Sequence, residues 1–168
     1  MNIVGDHLRE MAAKEKDRLR FDLFSRSAFN RYYYSAFLAV RAALGTIDSK
    51  WQKPNHAAIP ALLKGQVIER LHAQLSINKK RGGRLDAETE RLYSRARSAA
   101  DELSTFLRTA NAVRRVADYE PETKVDRMEQ PGGARLARCT IDEARGWRQR
   151  AEACTSTILR AYKRLGLA

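Results

Sequence analysis

Residues 25–44 read SRSAFNRYYYSAFLAVRAAL and contain neither proline nor glycine. Large apolar side chains recur here every three or four residues, and they are Phe29, Tyr33, Phe37, Val40 and Leu44. This spacing puts them on one face of an α-helix, and the alanines beside them allow a second helix to approach closely. Gly45 follows, where a helix commonly ends. The stretch therefore predicts a long, largely buried central helix over residues 22–44.

Two more stretches carry the same helical period. In the first, Asp86 is positioned to cap a helix, and apolar residues follow at alternating steps of four and three. These residues are Leu92, Ala96, Ala99, Leu103, Phe106, Ala110, Val113 and Ala117. In the second, Thr140 and Glu143 form a capping box ahead of a stripe that runs to Leu165. Three such stripes, without a sustained strand alternation, predict an all-α antiparallel bundle of about five to six helices in a single domain spanning 1–168.

The segments between these helices are less regular. Residues 1–20 predict a short N-terminal helix over 6–20, and Pro60 predicts either a kink or a helix start. Trp51 fits a hydrophobic plug better than a platform for base stacking. Residues 77–84, INKKRGGR, predict a mobile basic loop. The connection 120–139 is longer than most within bundles, which is typical of a flexible segment or of one that binds something.

The composition fits one globular domain. The chain has 168 residues, of which 43% are hydrophobic and 31% charged, and this length is sufficient for a real core. No apolar run approaches a membrane span, and the N-terminus lacks the apolar segment of a signal peptide, so we expect a cytoplasmic protein without membrane contact. The two cysteines do not indicate a disulfide, and Cys154 falls on an apolar helix face.

The positive charge of the chain indicates which classes of partner it can attract. The formal net charge is +12. A compact basic domain attracts polyanions over a Debye length of about 8 Å at physiological salt. Nucleic acid is the first class that this charge favours, and an acidic protein is the second. A solvated basic surface without a specific partner is the remaining interpretation.

Two blocks of the sequence resemble a known family. Residues 31–37, RYYYSAF, resemble the R-x-Y-Y-x-x-F signature of HEPN-type helical domains. Residues 114–121, RRVADYEP, resemble the R-x-x-A-D-Y-x-P ending of a later helix in that family. A P-x-H element between them, residues 54–56, and a closing helix occur in the same order. The resemblance covers about residues 20–165 and implies an HEPN-like helical bundle.

The resemblance also implies a chemistry. Active members of the family act as metal-independent ribonucleases that need no cofactor, and an Arg and a His on a late helix form their motif. The His takes the proton of the ribose 2′-hydroxyl, and the Arg stabilises the charged phosphorane. Here Arg114 occupies the Arg position, Tyr119 stands where the active motif has His, and Asp118 lies between them; these three residues are the predicted catalytic set. An unperturbed phenol, with a pKa of about 10, is a poor base at neutral pH, and the alternative His position after Arg31 holds Leu38.

Simpler interpretations of the same residues stay open. Arg114 and Asp118 are spaced for an ion pair on one helix face, Arg115 and Asp118 equally so, and Tyr119 is placed to staple the helix end to the bundle. In another interpretation the cluster binds RNA without turnover, and Tyr34 joins it from an earlier helix. The full set of predicted RNA-binding residues is Arg31, Tyr34, Lys79, Lys80, Arg81 and Arg115. The basic residues 79–81 are either phosphate contacts or part of a solvated turn.

Other chemistries find no support in the residue pattern. The three histidines, His7, His56 and His72, are scattered without the spacing of a zinc site. No phosphate-binding glycine loop and no serine- or cysteine-centred nucleophile motif occurs. The sequence therefore predicts neither a metal nor an organic cofactor.

Two classes of function follow from these patterns. In the first, the protein resembles the RNA-acting HEPN component of a toxin–antitoxin or phage-defence pair, whose partner is a nucleotidyltransferase-like antitoxin or another defence protein. In the second, it is a non-catalytic HEPN scaffold that binds RNA or a protein. The resemblance also implies a homodimer. We expect its interface along the helix that ends at 114–119, where small residues such as Ala96, Ala99 and Ala100 are abundant.

Overall fold

The computed structural model describes residues 1–80, 86–130 and 132–167, which are mostly helical. The helices are α1 (Asn2–Lys14), α2 (Arg18–Ile47), α3 (Ala58–Leu62), α4 (Ile68–Lys80), α5 (Ala87–Tyr119), α6 (Ile141–Arg145) and α7 (Trp147–Arg164). A π-helical turn, Leu63–Val67, joins α3 and α4 into one run, so that six helical segments stand beside a short 3₁₀ turn at Ser49–Trp51 in the described ranges. The prediction of an all-α helical bundle of five to six helices is confirmed. No helix among these residues is both long and apolar enough to cross a membrane.

The chain forms two compact units. Met1–Leu38 and Thr109–Arg150 make the first, and Ala39–Arg108 and Ala151–Ala168 make the second. The helices α2, α5 and α7 each contribute residues to both units. The apolar stripes of these helices continue across the boundaries between the two units. The spacing of apolar residues, from which a single domain was predicted, therefore does not indicate this division.

In the first unit, the start of α2 lies antiparallel to the end of α5. The side chains of Phe29, Tyr33 and Phe37 are at most 3% exposed, as the predicted stripe requires. The rings of Tyr33 and Phe37 stack with their centroids 6.0 Å apart. From α5, Val113 and Ala117 are buried in the same unit. Burial of apolar surface, worth about 25 cal/mol per Å², is the main term that stabilises this helix pair.

The first helix packs on its neighbours through polar contacts. Asp6 Oδ1 accepts hydrogen bonds from Tyr32 Oη and from Arg145 Nε, both at 2.9 Å. Gly5 permits the close approach to α2, because a Cβ at this position would lie 2.7 Å from Tyr32 Cε1. The predicted helix over 6–20 is divided in the structure. The division follows from Asp17, whose Oδ1 accepts from the main-chain nitrogen of Arg20 at 2.8 Å in the first turn of α2.

A buried ion pair closes the carboxyl end of α5. The side chains of Asp22 and Arg26 are 8% and 9% exposed, and Arg26 Nε lies 2.6 Å from Asp22 Oδ2. The two terminal guanidinium nitrogens donate to four main-chain carbonyls, those of Val116, Ala117, Glu120 and Thr123. Asp22 Oδ1 accepts from the main-chain nitrogen of Val125 at 2.8 Å. The last carbonyls of a helix have no partner within it, and Arg26 supplies a donor for the carbonyl of Ala117. The carbonyls of Val116 and Glu120 accept main-chain hydrogen bonds as well, so Arg26 adds a second donor to each.

The connection 120–139 contains a small antiparallel sheet that the sequence did not predict. Its strands are β1 (Asp126–Arg127), β2 (Ala134–Leu136) and β3 (Cys139–Thr140), paired in the order β1-β2-β3. Val125, Ala134 and Leu136 are buried, so the connection packs into the first unit. Strands of two or three residues are too short to show the alternation by which strands are recognised.

In the second unit, the run from α3 to α4 supplies core residues. Leu63 and Val67 are fully buried, and Tyr162 Oη on α7 donates to the main-chain oxygen of Val67 at 2.7 Å. Trp51 is 5% exposed, which confirms that it is a hydrophobic plug. Its Nε1 donates to Gln66 Oε1 at 3.2 Å, so its one polar atom also has a partner.

Gly45 does not end a helix as predicted. Gly45 lies inside α2, and a Cβ there would come 2.8 Å from Gln52 Cγ, so the glycine allows close packing instead of capping. Gly65 lies in the π-helical turn that joins α3 to α4. Pro60 lies in the first turn of α3, where a missing N–H costs nothing.

Both predicted helix caps are present. The main-chain nitrogen of Thr89 donates to Asp86 Oδ1 at 2.6 Å. Thr140 and Glu143 form the capping box with both of its reciprocal hydrogen bonds. The predicted helix over 141–165 is interrupted near its start, because α6 ends before Gly146 and α7 begins after it.

Arg26→Met is expected to lower the free energy of unfolding by about 3–5 kcal/mol, because it leaves the buried Asp22 carboxylate without its charged partner. The double variant Asp22→Asn/Arg26→Met should lose less, since no buried charge then stays unpaired. Urea denaturation measures both changes. Arg20→Ala is the control, because that side chain is 72% exposed and its loss should cost less than about 1 kcal/mol. Equal losses for Arg26→Met and Arg20→Ala would contradict the role of the buried pair.

Candidate nucleic-acid interface

Two residue pairs, each spaced four apart on its helix, face each other in the first unit. Asn30 and Tyr34 lie on α2, and Arg114 and Asp118 lie on α5. Arg114 Nε lies 2.7 Å from Asp118 Oδ2, so the ion pair forms with Arg114 and not with Arg115. Asn30 Nδ2 donates to Asp118 Oδ1 at 2.7 Å, and Arg114 Nη2 donates to Tyr34 Oη at 3.3 Å. Because the helices are antiparallel here, each member of one pair meets one member of the other.

Tyr119 joins these residues from the end of α5. Its hydroxyl accepts a hydrogen bond from Arg114 Nη2 at 3.4 Å. The guanidinium carbon of Arg114 lies 5.2 Å from the ring centroid of Tyr119 and 5.6 Å from that of Tyr34, within the range of cation–π attraction. Tyr119 is 66% exposed, so its ring does not staple the helix end into the core. Asn30, Tyr34, Arg114, Asp118 and Tyr119 together are named the Arg114 cluster.

The surroundings of Arg114 hold its charge in place. Partial burial lowers the pKa of Arg114, but the charge of Asp118 and the hydroxyls of Tyr34 and Tyr119 outweigh burial, so the pKa is raised overall. The side chain is 15% exposed. Its Nε and Nη2 are engaged within the cluster, and no described residue accepts a hydrogen bond from Nη1. Arg114 is therefore a fixed, permanently charged group whose Nη1 can still donate hydrogen bonds.

Two further predicted residues belong to the same unit. Arg31 follows Asn30 on α2, and Arg115 follows Arg114 on α5, and both are exposed. Neither enters the hydrogen bonds of the Arg114 cluster. They add two positive charges to the unit that carries the cluster.

Two of the predicted RNA-binding lysines belong to the other unit. Lys79 and Lys80 lie in the second unit, in the last turn of α4 and not in a loop. Lys79 Nζ lies 3.3 Å from Glu90 Oε1, so a carboxylate already accompanies its charge. Arg81 lies outside the described residues.

Two contributors to the site are not among the residues predicted from the sequence. The pair Asp22–Arg26 fixes the end of α5, and its opposite charges at i,i+4 spacing were a readable signal. Asn30, which holds Asp118, had no comparable signal. Its partner is 88 positions away along the chain, and only the fold brings the two together.

The functional groups of the cluster are the Arg114 guanidinium and the phenol side chains of Tyr34 and Tyr119 that contact it. In the described part of the chain, no group of three or more His, Cys, Asp and Glu side chains is arranged to hold a metal ion. The polar partners of Arg114 are one carboxylate and two tyrosine hydroxyls, and none is an imidazole. Such a site suits the binding of an anion.

Comparison with known proteins adds no identification. No protein-family model matches the chain, and no curated protein or solved structure matches it. The functional interpretation is therefore built on the residues and their geometry.

Tyr119→Ala is expected to change the free energy of unfolding by less than about 1 kcal/mol, because the residue is 66% exposed. Tyr33→Ala is the contrasting variant. Tyr33 is 1% exposed, and removal of a buried aromatic ring should cost about 3–5 kcal/mol. Thermal or urea denaturation measures both, and a loss for Tyr119→Ala as large as that for Tyr33→Ala would restore the structural role of the Tyr119 ring.

Proposed function

We propose that the first unit binds RNA through the Arg114 cluster, and that the protein is the RNA-acting HEPN-type component of a toxin–antitoxin or phage-defence pair. The observation that carries this proposal is a guanidinium oriented by one carboxylate and two aromatic rings at the end of a capped helix. The partner in such a pair is a nucleotidyltransferase-like antitoxin or another defence protein.

Phosphate is the ligand that Arg114 suits best. Its planar fork is already oriented by Asp118 and the rings, so less conformational entropy is lost when an anion binds. Nη1 keeps its hydrogens for a phosphate oxygen, and a charge-assisted hydrogen bond of this kind is about twice as strong as a neutral one. Asp118 pairs with Nε and therefore leaves the hydrogens of Nη1 unoccupied.

The surroundings favour a polyanion over a single phosphate. Arg31 and Arg115 are exposed in the same unit, and the net charge of +12 draws a nucleic-acid backbone towards the whole chain. The exposed ring of Tyr119 offers a face for an unpaired base, and such stacking is worth about 1–3 kcal/mol per base. Single-stranded RNA presents both groups together.

The two HEPN-like blocks support the family assignment by meeting in space. Tyr34 comes from the first block, and Arg114, Asp118 and Tyr119 come from the second. Tyr34 and Arg114 are 80 positions apart, yet their side chains share a hydrogen bond. A resemblance limited to chance matches would not require its residues to converge on one cluster.

Ribonuclease activity is the second candidate function, and one contact favours it. The exposed Tyr119 hydroxyl lies 3.4 Å from a nitrogen of Arg114, so a proton acceptor and a cation stand side by side. In this mechanism Tyr119, in its phenolate form, takes the 2′-hydroxyl proton, and the 2′-oxygen attacks the adjacent phosphorus. The bond from phosphorus to the 5′-oxygen then breaks as that oxygen takes a proton from water, and Arg114 stabilises the phosphorane without a metal. A non-catalytic HEPN scaffold is the alternative when RNA does not bind.

Arg114→Ala and Arg115→Ala are each expected to weaken RNA binding to a similar degree for all sequences, because the contacts are to phosphate. Each should also reduce the salt dependence of binding by about one counterion. Fluorescence anisotropy with a labelled single-stranded RNA at several salt concentrations measures both effects. Arg20→Ala is the control, with one exposed charge removed from the same unit. No RNA binding by the unmodified protein at low salt would refute the nucleic-acid proposal and leave the scaffold.

If the protein cleaves RNA, Tyr119→Phe should abolish cleavage and leave RNA binding intact, because only the hydroxyl is removed. Gel assays of RNA in the presence of EDTA measure the cleavage. Tyr93→Phe is a suitable control, since that ring belongs to the second unit. Full cleavage by Tyr119→Phe would exclude Tyr119 as the base.

We further propose a homodimer, but not through the small residues that first suggested it. Ala96, Ala99 and Ala100 are at most 9% exposed within the chain, so they are already used in its own packing. On α5 in the first unit, Ala112, Arg115 and Tyr119 share an exposed face, and a two-fold contact there would bring two Arg114 clusters together.

Light scattering at micromolar concentration should give twice the chain mass of 19.1 kDa. Ala112→Arg should shift the protein towards the monomer, because a long side chain at this small residue would prevent the close approach of the two α5 helices. Ala153→Arg, on an exposed position of α7, should leave the mass unchanged. A monomer for the unmodified protein would refute the dimer and with it a site shared between two copies.

A further inference from the structure

The second unit contains an open groove of about 790 Å³ beside the π-helical turn. The apolar part of its lining includes Pro54, Ala58 and Leu62. The polar part consists of Asp48, Lys50, Gln66, Glu69 and Arg70. Sites for small ligands have volumes of about 300–1,000 Å³ and combine apolar walls with a few polar groups, as this groove does.

A stack of Trp51 and Arg70 forms the polar side. The guanidinium carbon of Arg70 lies 5.1 Å from the Trp51 ring centroid, and its Nη1 donates to Asp48 Oδ2 at 2.9 Å. The Arg70 side chain is 48% exposed, whereas Trp51 is 5% exposed. The indole and Asp48 therefore hold the guanidinium in place, while about half of the Arg70 side chain stays exposed.

Gln66 is oriented by the same indole. Its Oε1 accepts from Trp51 Nε1 at 3.2 Å, so its amide nitrogen remains as the donor for other groups. Glu69 lies one turn along and supplies acceptors. The groove thus places a donor and a carboxylate side by side, next to an exposed guanidinium plane.

Gly65 keeps the groove open. A Cβ at this position would meet only Glu69 Oε1, at 3.9 Å, so the backbone tolerates a side chain that would then occupy the space beside Glu69. The π-helical turn Leu63–Val67 carries Gly65 and Gln66 into the lining together. Single π-helical turns of this kind occur frequently at functional sites.

We propose that this groove binds a guanine nucleotide with a single phosphate, either free or as one unit of an RNA strand. The base stacks on the exposed face of Arg70, in the way that arginine planes stack on unpaired bases. The Glu69 carboxylate accepts from the N1–H and N2–H₂ groups of guanine, and the Gln66 amide donates to O6. Lys50 neutralises the phosphate.

The charges in the groove select the number of phosphates. Lys50 and Arg70 are balanced by Asp48 and Glu69, so the lining has no net charge. A triphosphate would bring excess negative charge into a site that contains two carboxylates. A nucleotide with a single phosphate avoids this repulsion and still uses the ammonium group of Lys50.

Isothermal titration with GMP, AMP, GTP and ribose 5-phosphate tests the proposal on the full chain. GMP should bind most tightly, AMP and ribose 5-phosphate about tenfold more weakly, and GTP no better than GMP. Glu69→Gln should reduce GMP affinity about tenfold and leave AMP unchanged. Gly65→Leu should abolish binding by filling the groove, and circular dichroism should report an unchanged fold. Lys64→Ala, an exposed charge on the same run outside the groove, is the control.

Each contrary outcome is distinct. Equal affinity for GMP and ribose 5-phosphate would reduce the groove to a phosphate site, and much tighter binding of GTP would contradict the charge argument. GMP affinity that survives both Glu69→Gln and Gly65→Leu would place the ligand elsewhere, and no binding of GMP or of a short guanine-containing RNA would refute the proposal. If that RNA binds in a Glu69-dependent manner and GMP does not, the nucleotide is part of a strand. Arg114→Ala should leave GMP binding unchanged, so failure of this proposal is separable from failure of the Arg114 cluster as an RNA site.

Discussion

The buried pair Asp22–Arg26 is the interaction on which the first unit depends. A helix of 33 residues ends at Tyr119 and leaves carbonyl groups without partners inside the helix. Arg26 reaches from α2 and donates to four carbonyls at and beyond this end, while Asp22 binds the main-chain nitrogen of Val125. One ion pair thus connects α2, the end of α5 and the approach to β1. Burial of two charges is favourable only when such hydrogen bonds accompany the pair.

The hydrogen bonds of Arg26 at the end of α5 also hold the candidate site in place. Asp118 and Tyr119 are the last two residues of α5, where helices ordinarily fray. Because Arg26 binds carbonyls on both sides of them, their backbone is held, and Asn30 can then fix Asp118 from the same face of α2. Arg114 is oriented in turn by Asp118. The main-chain contacts of Arg26 therefore position the cluster. A sequence motif that contains only the residues of the cluster omits Asp22 and Arg26, which hold its backbone in place.

The sequence predicts those features of the fold that repeat along the chain. Apolar side chains at helical spacing located α2, α5 and α7, and local rules located the caps at Asp86 and Thr140. It did not predict the three-stranded sheet, because strands of two or three residues have no period to detect. Gly45 was interpreted as a helix end on the basis of its local propensity. Tertiary packing decides its role instead, because Gly45 makes room for Gln52.

The candidate site was predictable only in part, for a related reason. The predicted set brought together Arg114, Asp118, Tyr119 and Tyr34, since resemblance to a motif records residues regardless of their separation. The predicted set also included Lys79 and Lys80, because a basic residue in a sequence gives no indication of its position in the fold. In the structure these two lysines belong to the other unit. The groove beside the π-helical turn could not be predicted from the sequence. Its residues are ordinary in isolation, and an irregular helical turn cannot be recognised from apolar spacing.

Both candidate sites orient an arginine by the same physical means. Arg114 lies 2.7 Å from a carboxylate oxygen and 5.2 Å from an aromatic centroid, and for Arg70 the corresponding distances are 2.9 Å and 5.1 Å. A carboxylate fixes one edge of the guanidinium, and a ring covers one face, so a plane and the remaining donors are left in a defined direction. A lysine ammonium has neither plane nor fork, and charge alone would not reproduce this arrangement. What differs is the set of charged residues that accompanies each arginine. Arg31 and Arg115 are exposed in the unit that carries Arg114, and the proposal of a phosphate strand rests on them, whereas the groove around Arg70 contains two positive and two negative side chains, on which the proposal of a single nucleotide rests.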